Sequence, residues 1–568
     1  MSSGTRLPVV LLWHMHQPQY RDPVTGEYAL PWTYLHAIKD YTDMAAHLEA
    51  NPAARAVVNF SPVLLEQLRD LADAIAAHLE RGTVLPDPVL GLLSGAAVPV
   101  DAQQRLGLLR ACLRAHRAHM IERFGPYLEL ATLAETLGTP ERINYASDQF
   151  MRDIAVWYHL AWLGETVRRT NPLVSRLTDR GRDFTAAEAR ELLALIGDLV
   201  ARVVPRYRAL AAGGQCELTV TPYAHPIIPL LLDFRSAREA LPTMVLPEHA
   251  GYPGGAARAR WHIEEAVRIF TAAFGTAPAG CWPAEGAVSE ATLRLLAEAG
   301  GFRWAASSAG VLRGSLLLSD PSAAEDPGSY NRAYRLPGAT MDCFFRDDHL
   351  SDLVGFTYAT WHGDDAAHNL AGELEQVAQR APAGGNHAVL IALDGENAWE
   401  HYPFNGYYFL KALYAVLSDN PHFELLTLSE CLARGLQATP LPRVMAGSWV
   451  YGSLATWIGD AAKNRAWDLL CEAKAAFDRV VPGLTEPQRA AAGRQLALCE
   501  SSDWFWWFGD YNPAEAVSQF DQLYRRQLLT LYQRLGLEAP PALLLPISAG
   551  AAASAAEHGG VMRRASAR

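Results

Sequence analysis

Short apolar runs alternate with longer amphipathic segments along most of the chain. In each short run nearly every position is apolar or β-branched, which is typical of parallel strands buried on both faces. The predicted strands cover residues 8–14, 216–221, 279–282, 302–307, 341–346 and 387–393. The segments between them carry apolar residues at intervals of three and four, as helices do. The alternation therefore predicts an α/β fold built around a parallel sheet.

Two long parts of the chain carry the helical pattern alone. Residues 62–212 contain segments such as LLEQLRDLADAIAAHLE and predict a helical insertion after the first strand–helix unit of a domain that covers residues 1–435. PAEAVSQFDQLYRRQLLTLYQRLG lies in a second helical region, which we expect to form a C-terminal domain over 436–545. The low-complexity end, 546–568, predicts a disordered tail.

Composition and charge exclude several kinds of partner. The 568 residues carry a net charge of −12 without a dense cluster of lysine and arginine, so nucleic acid and anionic membranes are poor candidates. The sequence contains no uninterrupted apolar run of about 18 residues, so no membrane span is expected. The 15 tryptophans and 21 tyrosines suit a large core and also stacking against sugars. The sequence makes no prediction of the oligomeric state.

Cysteine usage points to a reducing compartment. The seven cysteines are dispersed and form no CxxC pair, which predicts free thiols rather than a disulfide framework or a zinc site. The first apolar run lacks a small-residue cleavage site and predicts a strand rather than a signal peptide. We therefore expect a cytoplasmic protein.

Polar clusters lie at five of the predicted strands. They comprise His14, His16 and Gln17; Glu217 and His225; Glu285; Asp347; and Asp394 with Glu396. In parallel α/β barrels the catalytic groups lie at the C-terminal ends of the strands. We therefore expect these side chains to share one pocket.

Glu285 and Asp347 stand out among these groups. Each follows an apolar run in aromatic or glycine-rich surroundings, where a carboxylate is poorly solvated and its pKa can be tuned. Two such carboxylates are sufficient for a glycosidase, because one protonates the departing oxygen and the other receives the anomeric carbon. Asp348 is adjacent, and successive strand side chains point to opposite faces, so only one of Asp347 and Asp348 can face a pocket.

Five ordered segments resemble the motifs of glycoside hydrolase family 57. They are HMHQPQY, GGQCELTVTPYAHPIIPLL, GCWPAEGAVSE, FFRDDHLSDLVGF and ALDGENAWEHYPFNG, between residue 14 and about residue 410. AGSWVYGSLATWIGD and SSDWFWWFGD are similar to the helical C-terminal region of that family. The resemblance implies an incomplete (β/α)7 barrel with a helical domain, and retaining chemistry on α-glucans or related α-glycosides. It implies no metal or other cofactor.

The resemblance also assigns roles to residues. It implies that Glu285 is the nucleophile and Asp347 the general acid/base, with Trp282 lining the subsite beside the cleaved bond. His16 and Glu217 would contact the same sugar. Further predicted substrate-binding residues are His14, Gln17, His225, Asp394, Glu396, Trp399, Trp457, Asp503 and Trp504. Asp352 is expected to cap a helix or to contact these residues without touching the substrate itself.

Three classes of function stay open. The first is an amylase, amylopullulanase or 4-α-glucanotransferase that acts on α-1,4-glucans or maltooligosaccharides, with a branching enzyme as the alternative. The second is a metal-dependent hydrolase or deacetylase, because His14 and His16 lie on one strand face, although no third histidine has a suitable spacing. The third is a glucan-binding protein without catalysis.

Overall fold

A computed structural model describes residues 6–380 and 386–551. Most of the tail predicted to be disordered, 546–568, lies outside these residues. The described part contains ten strands: β1 (Leu7–Met15), β2 (Ala56–Phe60), β3 (Cys216–Val220), β4 (Gly280–Cys281), β5 (Trp304–Ser308), β6 (Tyr334–Arg335), β7 (Asp342–Arg346), β8 (Val389–Asp394), β9 (Phe423–Leu425) and β10 (Thr439–Pro440).

Seven of these strands form a closed parallel barrel. The order is β1-β2-β3-β4-β5-β7-β8, and β8 returns to β1. Leu12 pairs with Val57 on one side of β1 and with Ala392 on the other. The barrel closes where Arg346 of β7 pairs with Leu390 of β8. The predicted (β/α)7 barrel is confirmed.

The remaining strands extend the sheet outside the barrel. β9 pairs with β1 in parallel, β6 pairs with β7 in antiparallel, and β10 pairs with β6. All six predicted strands are present, with ends shifted by at most two residues. β2 was not predicted, although all five of its residues are buried. It is a short apolar run that leads almost directly into the helix beginning at Pro62, so its pattern merges with that of the helix.

Residues 62–212 form helices, as predicted. The α-helices are Pro62–Arg81, Pro88–Gly91, Ala102–Ala111, Gly125–Leu137, Asp148–Trp162, Glu165–Thr170, Pro172–Arg180 and Ala186–Ala212. Thr185 and Glu188 form a capping box that starts the last and longest of them. This helix packs closely on the first, because a Cβ at Gly197 would lie only 2.6 Å from Ile75.

Further helices surround the barrel and form the C-terminal region. Those outside the insertion and before residue 440 are Trp32–His36, Thr42–Ala50, Ile228–Leu232, Ala237–Ala240, Gly255–Phe274, Glu290–Gly300, Ala309–Ser319, Pro321–Ala324, Asp348–Asp352, Gly363–Arg380, Tyr407–Asp419 and Leu428–Ala433. The later ones are Ala461–Val480, Glu486–Cys499, Ser502–Trp507 and Ala514–Arg534.

A buried ion cluster joins the C-terminal helices to the barrel. Glu500 accepts hydrogen bonds from Arg258 (2.8 Å) and Tyr252 (2.5 Å), and His262 lies 2.7 Å away. Burial alone would raise the pKa of Glu500, but the charge of Arg258 and the contact with His262 lower it to about 2. The cluster therefore fixes the segment that begins at Glu500 against the helix Gly255–Phe274.

All seven cysteines are buried and carry free thiols. Among the helices of the described residues, none has the length and apolar character needed to cross a membrane.

Candidate active site

A cavity of about 620 Å³ opens at the C-terminal ends of β1 and β8. Its lining includes His14, His16, Gln17, Glu285, Arg346, Asp352, Asp394, Glu396 and Trp449 around the barrel, Leu113, Arg114, Ala115, His116 and Trp162 from the insertion, and Asp503, Trp506 and Trp507 from the C-terminal helices. This is the end of a parallel barrel at which active sites lie. The cavity thus combines polar groups from the strands with aromatic walls from the surrounding helices.

Glu285 lies in a tight turn directly after β4. Its backbone is left-handed, with φ 58° and ψ 22°, a conformation that costs a non-glycine residue about 1 kcal/mol or more. Trp449 holds it at two points. The backbone N–H of Trp449 donates to the Glu285 carbonyl (3.0 Å), and its indole Nε1 donates to carboxylate Oε2 (2.8 Å). Only 15% of the Glu285 side chain is exposed. The carboxylate is therefore held in one place at the cavity wall.

Asp394 is the charge that most affects Glu285. Burial first, and then the charge of Asp394, raise the pKa of Glu285 to about 8, while the hydrogen bond from Trp449 opposes the change. Burial also raises the pKa of Asp394 to about 6. A hydrogen bond from Asn397 and the charges of His16 and Arg346 act in the opposite direction and lower this pKa. Around neutral pH the two carboxyl groups together therefore hold about one proton.

Three histidines stack beside these carboxylates. The rings of His16 and His225 are nearly parallel, with centroids 3.8 Å apart, and His14 lies 5.1 Å from His225. Burial lowers the pKa of His14 to about 3 and holds that of His225 well below its ordinary value. Both rings are therefore neutral near pH 7. The Nδ1 atom of His225 lies 3.9 Å from Oε1 of Glu285.

Hydrogen bonds determine the tautomers of the neutral rings. Asn59 Oδ1 only accepts and lies 2.6 Å from Nδ1 of His14, so that nitrogen carries the proton. The Nε2 atom of His14 then accepts from Nε2 of His225 at 3.1 Å. This leaves Nδ1 of His225 to accept from the Ser502 hydroxyl at 2.8 Å. The chain of bonds orients His225 between the barrel and the C-terminal helices.

Glu396 forms a second buried acid in the cavity. Its Oε1 accepts from the Gln17 amide (3.1 Å), the Tyr41 hydroxyl (3.1 Å) and the backbone N–H of His16 (3.2 Å). Among the described residues its Oε2 has no hydrogen-bond partner. Burial and the neighbouring Asp394 hold the pKa of Glu396 well above its ordinary value. Through Oε1, Glu396 therefore holds the Gln17 amide, the Tyr41 hydroxyl and the His16 backbone in place beside the cavity.

One group in the described part of the chain has the composition of a metal site. Nitrogen or oxygen atoms of His16, His225 and Asp503 lie within 4.8 Å of one another. His225 is a third histidine that sequence spacing did not reveal. The arrangement fits a metal ion poorly, because the two rings are stacked at an interplanar angle of 12° and their lone pairs do not converge. In addition, His16 Nε2 is hydrogen-bonded to Asp503 at 3.0 Å.

The position of Asp347 differs from the one its predicted role requires. It is absent from the cavity lining, and its carboxylate accepts from the Leu350 N–H (2.9 Å) as the cap of the helix Asp348–Asp352. Side chains alternate along β7, so the inward position falls on Arg346 and not on the next residue. Asp352, which was expected to cap a helix or to act behind the site, lines the cavity and lies 3.8 Å from Arg346.

Glu217 also lies outside the cavity. It is the second residue of β3, near the opposite end of the barrel, and not at the strand's C-terminal end. Its carboxylate accepts from Trp304 Nε1 (2.8 Å) and from the backbone N–H (2.9 Å) and hydroxyl (2.6 Å) of Ser429. It therefore joins neighbouring elements of the barrel and does not contact a ligand in this cavity.

The four tryptophans predicted to bind substrate are core residues. They are Trp282, Trp399, Trp457 and Trp504, each at most 1% exposed. The aromatic walls of the cavity belong instead to Trp32, Trp162, Trp449, Trp506 and Trp507. The sequence contained a pattern that could have identified two of these tryptophans. Positions 503, 506 and 507 follow the i, i+3, i+4 spacing of one helix face, so Trp506 and Trp507 lie on the same face as Asp503.

Comparison with known proteins identifies the family. Residues 10–441, most of the chain, match the sequence model of glycosyl hydrolase family 57. The chain belongs to glycosyl hydrolase family 57. Membership confirms the enzyme class that the five motifs predicted. No protein with a curated function is significantly similar in sequence.

Solved structures share the fold at low sequence identity. A family 57 branching enzyme from Thermococcus kodakaraensis aligns with a TM-score of 0.59 and 14% identity over 95% of this chain and 93% of its own. An α-amylase from Thermotoga maritima gives 0.56 and 14% identity over 94% of both chains. A 4-α-glucanotransferase from Thermococcus litoralis gives 0.50 and 12% identity over 93% of this chain and 60% of its own. The likeness supports the family 57 fold.

Proposed function

We propose that this protein is a retaining hydrolase or transglycosylase that acts on α-1,4-glucans, with Glu285 as nucleophile and Asp394 as general acid/base. One observation carries the proposal: Glu285 and Asp394 line the same cavity, and the charge of Asp394 is the strongest charge effect on the pKa of Glu285. A pair that shares about one proton contains both a proton donor and an ionised carboxylate, as glycosidases require.

The contacts of each group favour this division of roles. The indole N–H of Trp449 donates to Glu285 and stabilises its anion, which suits a nucleophile. Burial raises the pKa of Asp394 to about 6, so Asp394 can hold the shared proton when Glu285 is ionised. The pKa of Glu285 is higher, about 8, so the proton lies mainly on Glu285 in the resting enzyme, and the reactive form is the one in which Asp394 carries it. The Asp347 carboxylate caps the helix Asp348–Asp352, which argues for Asp394 instead of Asp347 as the general acid/base.

The reaction then takes two steps. Asp394 gives its proton to the glycosidic oxygen while Glu285 bonds to the anomeric carbon and the carbon–oxygen bond breaks. An acceptor hydroxyl next transfers its proton to Asp394, and its oxygen displaces Glu285 from the anomeric carbon. Water as acceptor gives hydrolysis, and a sugar hydroxyl gives transfer. Each carboxyl group ends in its starting protonation state.

The aromatic walls and the fold support a glucan substrate. Five tryptophans line a cavity whose volume lies in the usual range of ligand sites. Flat rings suit the apolar C–H faces of pyranoses. The fold is that of a branching enzyme, an α-amylase and a 4-α-glucanotransferase.

Product analysis tests the proposal. The protein is incubated with a maltooligosaccharide of one length, and the products are separated by chromatography. Hydrolysis produces shorter chains only, transfer produces longer and shorter chains together, and branching creates α-1,6 linkages visible by NMR. The first product should have the α configuration, and a β product would contradict the retaining scheme. Glu285→Gln, with an unchanged thermal midpoint, is the inactive control.

A metal-dependent hydrolase or deacetylase is the second candidate. The grouping of His16, His225 and Asp503 favours it, whereas the stacking of the rings argues against it. Metal analysis of the purified protein and activity after chelation separate the two. Stoichiometric metal together with loss of activity on chelation, restored by the metal, would replace the glycosidase proposal. We expect full activity in chelator.

A further inference from the structure

Three large aromatic side chains are exposed on one part of the surface. Phe404, Tyr408 and Trp361 are 39%, 45% and 41% exposed, and we call them the aromatic strip. The rings of Phe404 and Tyr408 lie edge to face with centroids 5.4 Å apart. Trp361 is two residues before Gly363, which packs closely on the backbone of residues 408–409. A Cβ added at Gly363 would lie only 2.6 Å from the backbone nitrogen of residue 409. Exposed aromatic groups of this size commonly mark a binding surface.

Arginines of the helical insertion hold two of these rings in place. The guanidinium of Arg123 lies 4.6 Å from the centre of the Phe404 ring. Arg169 donates to the Tyr408 hydroxyl at 3.0 Å, and its guanidinium lies 5.2 Å from the ring centre. Rings that are already ordered lose little further entropy when a ligand binds. The strip is therefore preorganised while its outer faces stay open to solvent.

The strip continues the wall of the cavity. His116 and His401 both line the cavity, and their rings meet edge to face with centroids 5.4 Å apart. Phe404 follows His401 by three residues, and Arg123 follows His116 by seven. The two segments that form the cavity wall at this point thus go on to form the strip. Phe404 therefore lies within three residues of the cavity wall, and Tyr408 follows it about one helical turn later.

We propose that the aromatic strip binds the part of an α-glucan chain that extends beyond the cavity. Pyranose rings present apolar C–H faces that stack on aromatic rings, and their hydroxyls can bond to the neighbouring guanidinium and phenol groups. The inference rests on the proposed function, because it takes the occupant to be the polymer whose end is processed in the cavity. It assigns the strip a preference for long chains over short ones.

Binding and turnover of chains of different length test the strip. In the Glu285→Gln background, which leaves the glucan intact, native gels with and without soluble amylose measure affinity. Phe404→Ala/Tyr408→Ala should weaken the retardation by about ten-fold, the usual effect of losing stacked aromatic contacts. In the active enzyme the ratio of kcat/KM for amylose to that for maltotetraose should fall by a similar factor.

Matched variants separate stacking from folding. Phe404→Leu keeps an apolar side chain without a flat ring and should behave as Phe404→Ala does. Tyr145→Ala removes a tyrosine that is 83% exposed on the insertion and should change neither assay. Equal thermal midpoints show that all the variants are folded.

Several results would overturn the inference. The inference is wrong if the strip variants, like Tyr145→Ala, change neither the amylose retardation nor the kcat/KM ratio. This holds even if the protein cleaves maltooligosaccharides and the proposed function is correct. A changed sedimentation coefficient with unchanged amylose retardation would assign the strip to a contact between copies of the chain. Strip-dependent retardation in a protein that converts no α-glucan would support the strip and refute the proposed function.

Discussion

Replacing Asp394 with asparagine removes the proposed proton donor at almost constant shape. The hydrogen bond from Asn397 (3.0 Å) can persist, because the asparagine carbonyl also accepts. Loss of a general acid typically reduces the rate by about 10²- to 10⁴-fold, or about 3–5 kcal/mol of transition-state stabilisation. We expect kcat/KM on maltooligosaccharides to fall by that factor while the thermal midpoint stays within a few degrees.

Asp347→Asn is the matched comparison. Asparagine and aspartate are about equally good at helix N-caps, so the bond to the Leu350 N–H survives and stability changes little. Since Asp347 does not line the cavity, activity should stay within about three-fold of the wild type, well below the effect of losing a general acid.

A substrate that needs no protonation isolates the role of the acid. An aryl α-glycoside with a strongly acidic leaving group departs without a proton, so Asp394→Asn should form the glycosyl-enzyme almost normally and accumulate it. Azide, which needs no general base, should release the intermediate with retained configuration. A hundred-fold loss in Asp347→Asn together with near-normal activity in Asp394→Asn would refute this reasoning and restore the role implied by the sequence resemblance.

Three further predictions concern the Glu285–Asp394 pair, the tryptophan that contacts Glu285, and the buried cluster around Glu500. The pH profile of kcat/KM should be bell-shaped with limbs near 6 and 8, because activity needs one proton on the Glu285–Asp394 pair, and Asp394→Asn should remove the alkaline limb. Trp449→Phe removes the donor to Glu285, so activity should fall about 10- to 100-fold and the acid limb should move to higher pH, whereas an unmoved limb would contradict this contact. Glu500→Gln should destabilise the protein by about 3–5 kcal/mol in chemical denaturation near neutral pH, because it leaves Arg258 buried without its anion. The pKa of Glu500 is lowered from 4.5 to about 2, so its stabilisation is present above about pH 4.5 and lost as the pH falls through about 2; a deficit that did not shrink over that range would contradict the assignment.

Much of the architecture could be read from local pattern. Apolar runs such as VVLLW and VLIAL identify strands, and three- and four-residue spacing identifies the helices of 62–212, because both periods follow from backbone geometry. The same pattern located Glu285 and Asp394 at strand ends, and so on the side of a parallel barrel where chemistry occurs.

Only the tertiary structure decided which of these side chains meet. His225 and Asp503 come to His16 from 209 and 487 positions away, a proximity that no local spacing encodes. Whether residue 346 or 347 faces inward depends on how β7 pairs with its neighbours, since a shift of one residue reverses every side chain. Sequence alone therefore determined the elements and the chemical groups at their ends. Strand register and helix docking, which result from packing over the whole chain, decided that Asp394 and not Asp347 lines the same cavity as Glu285.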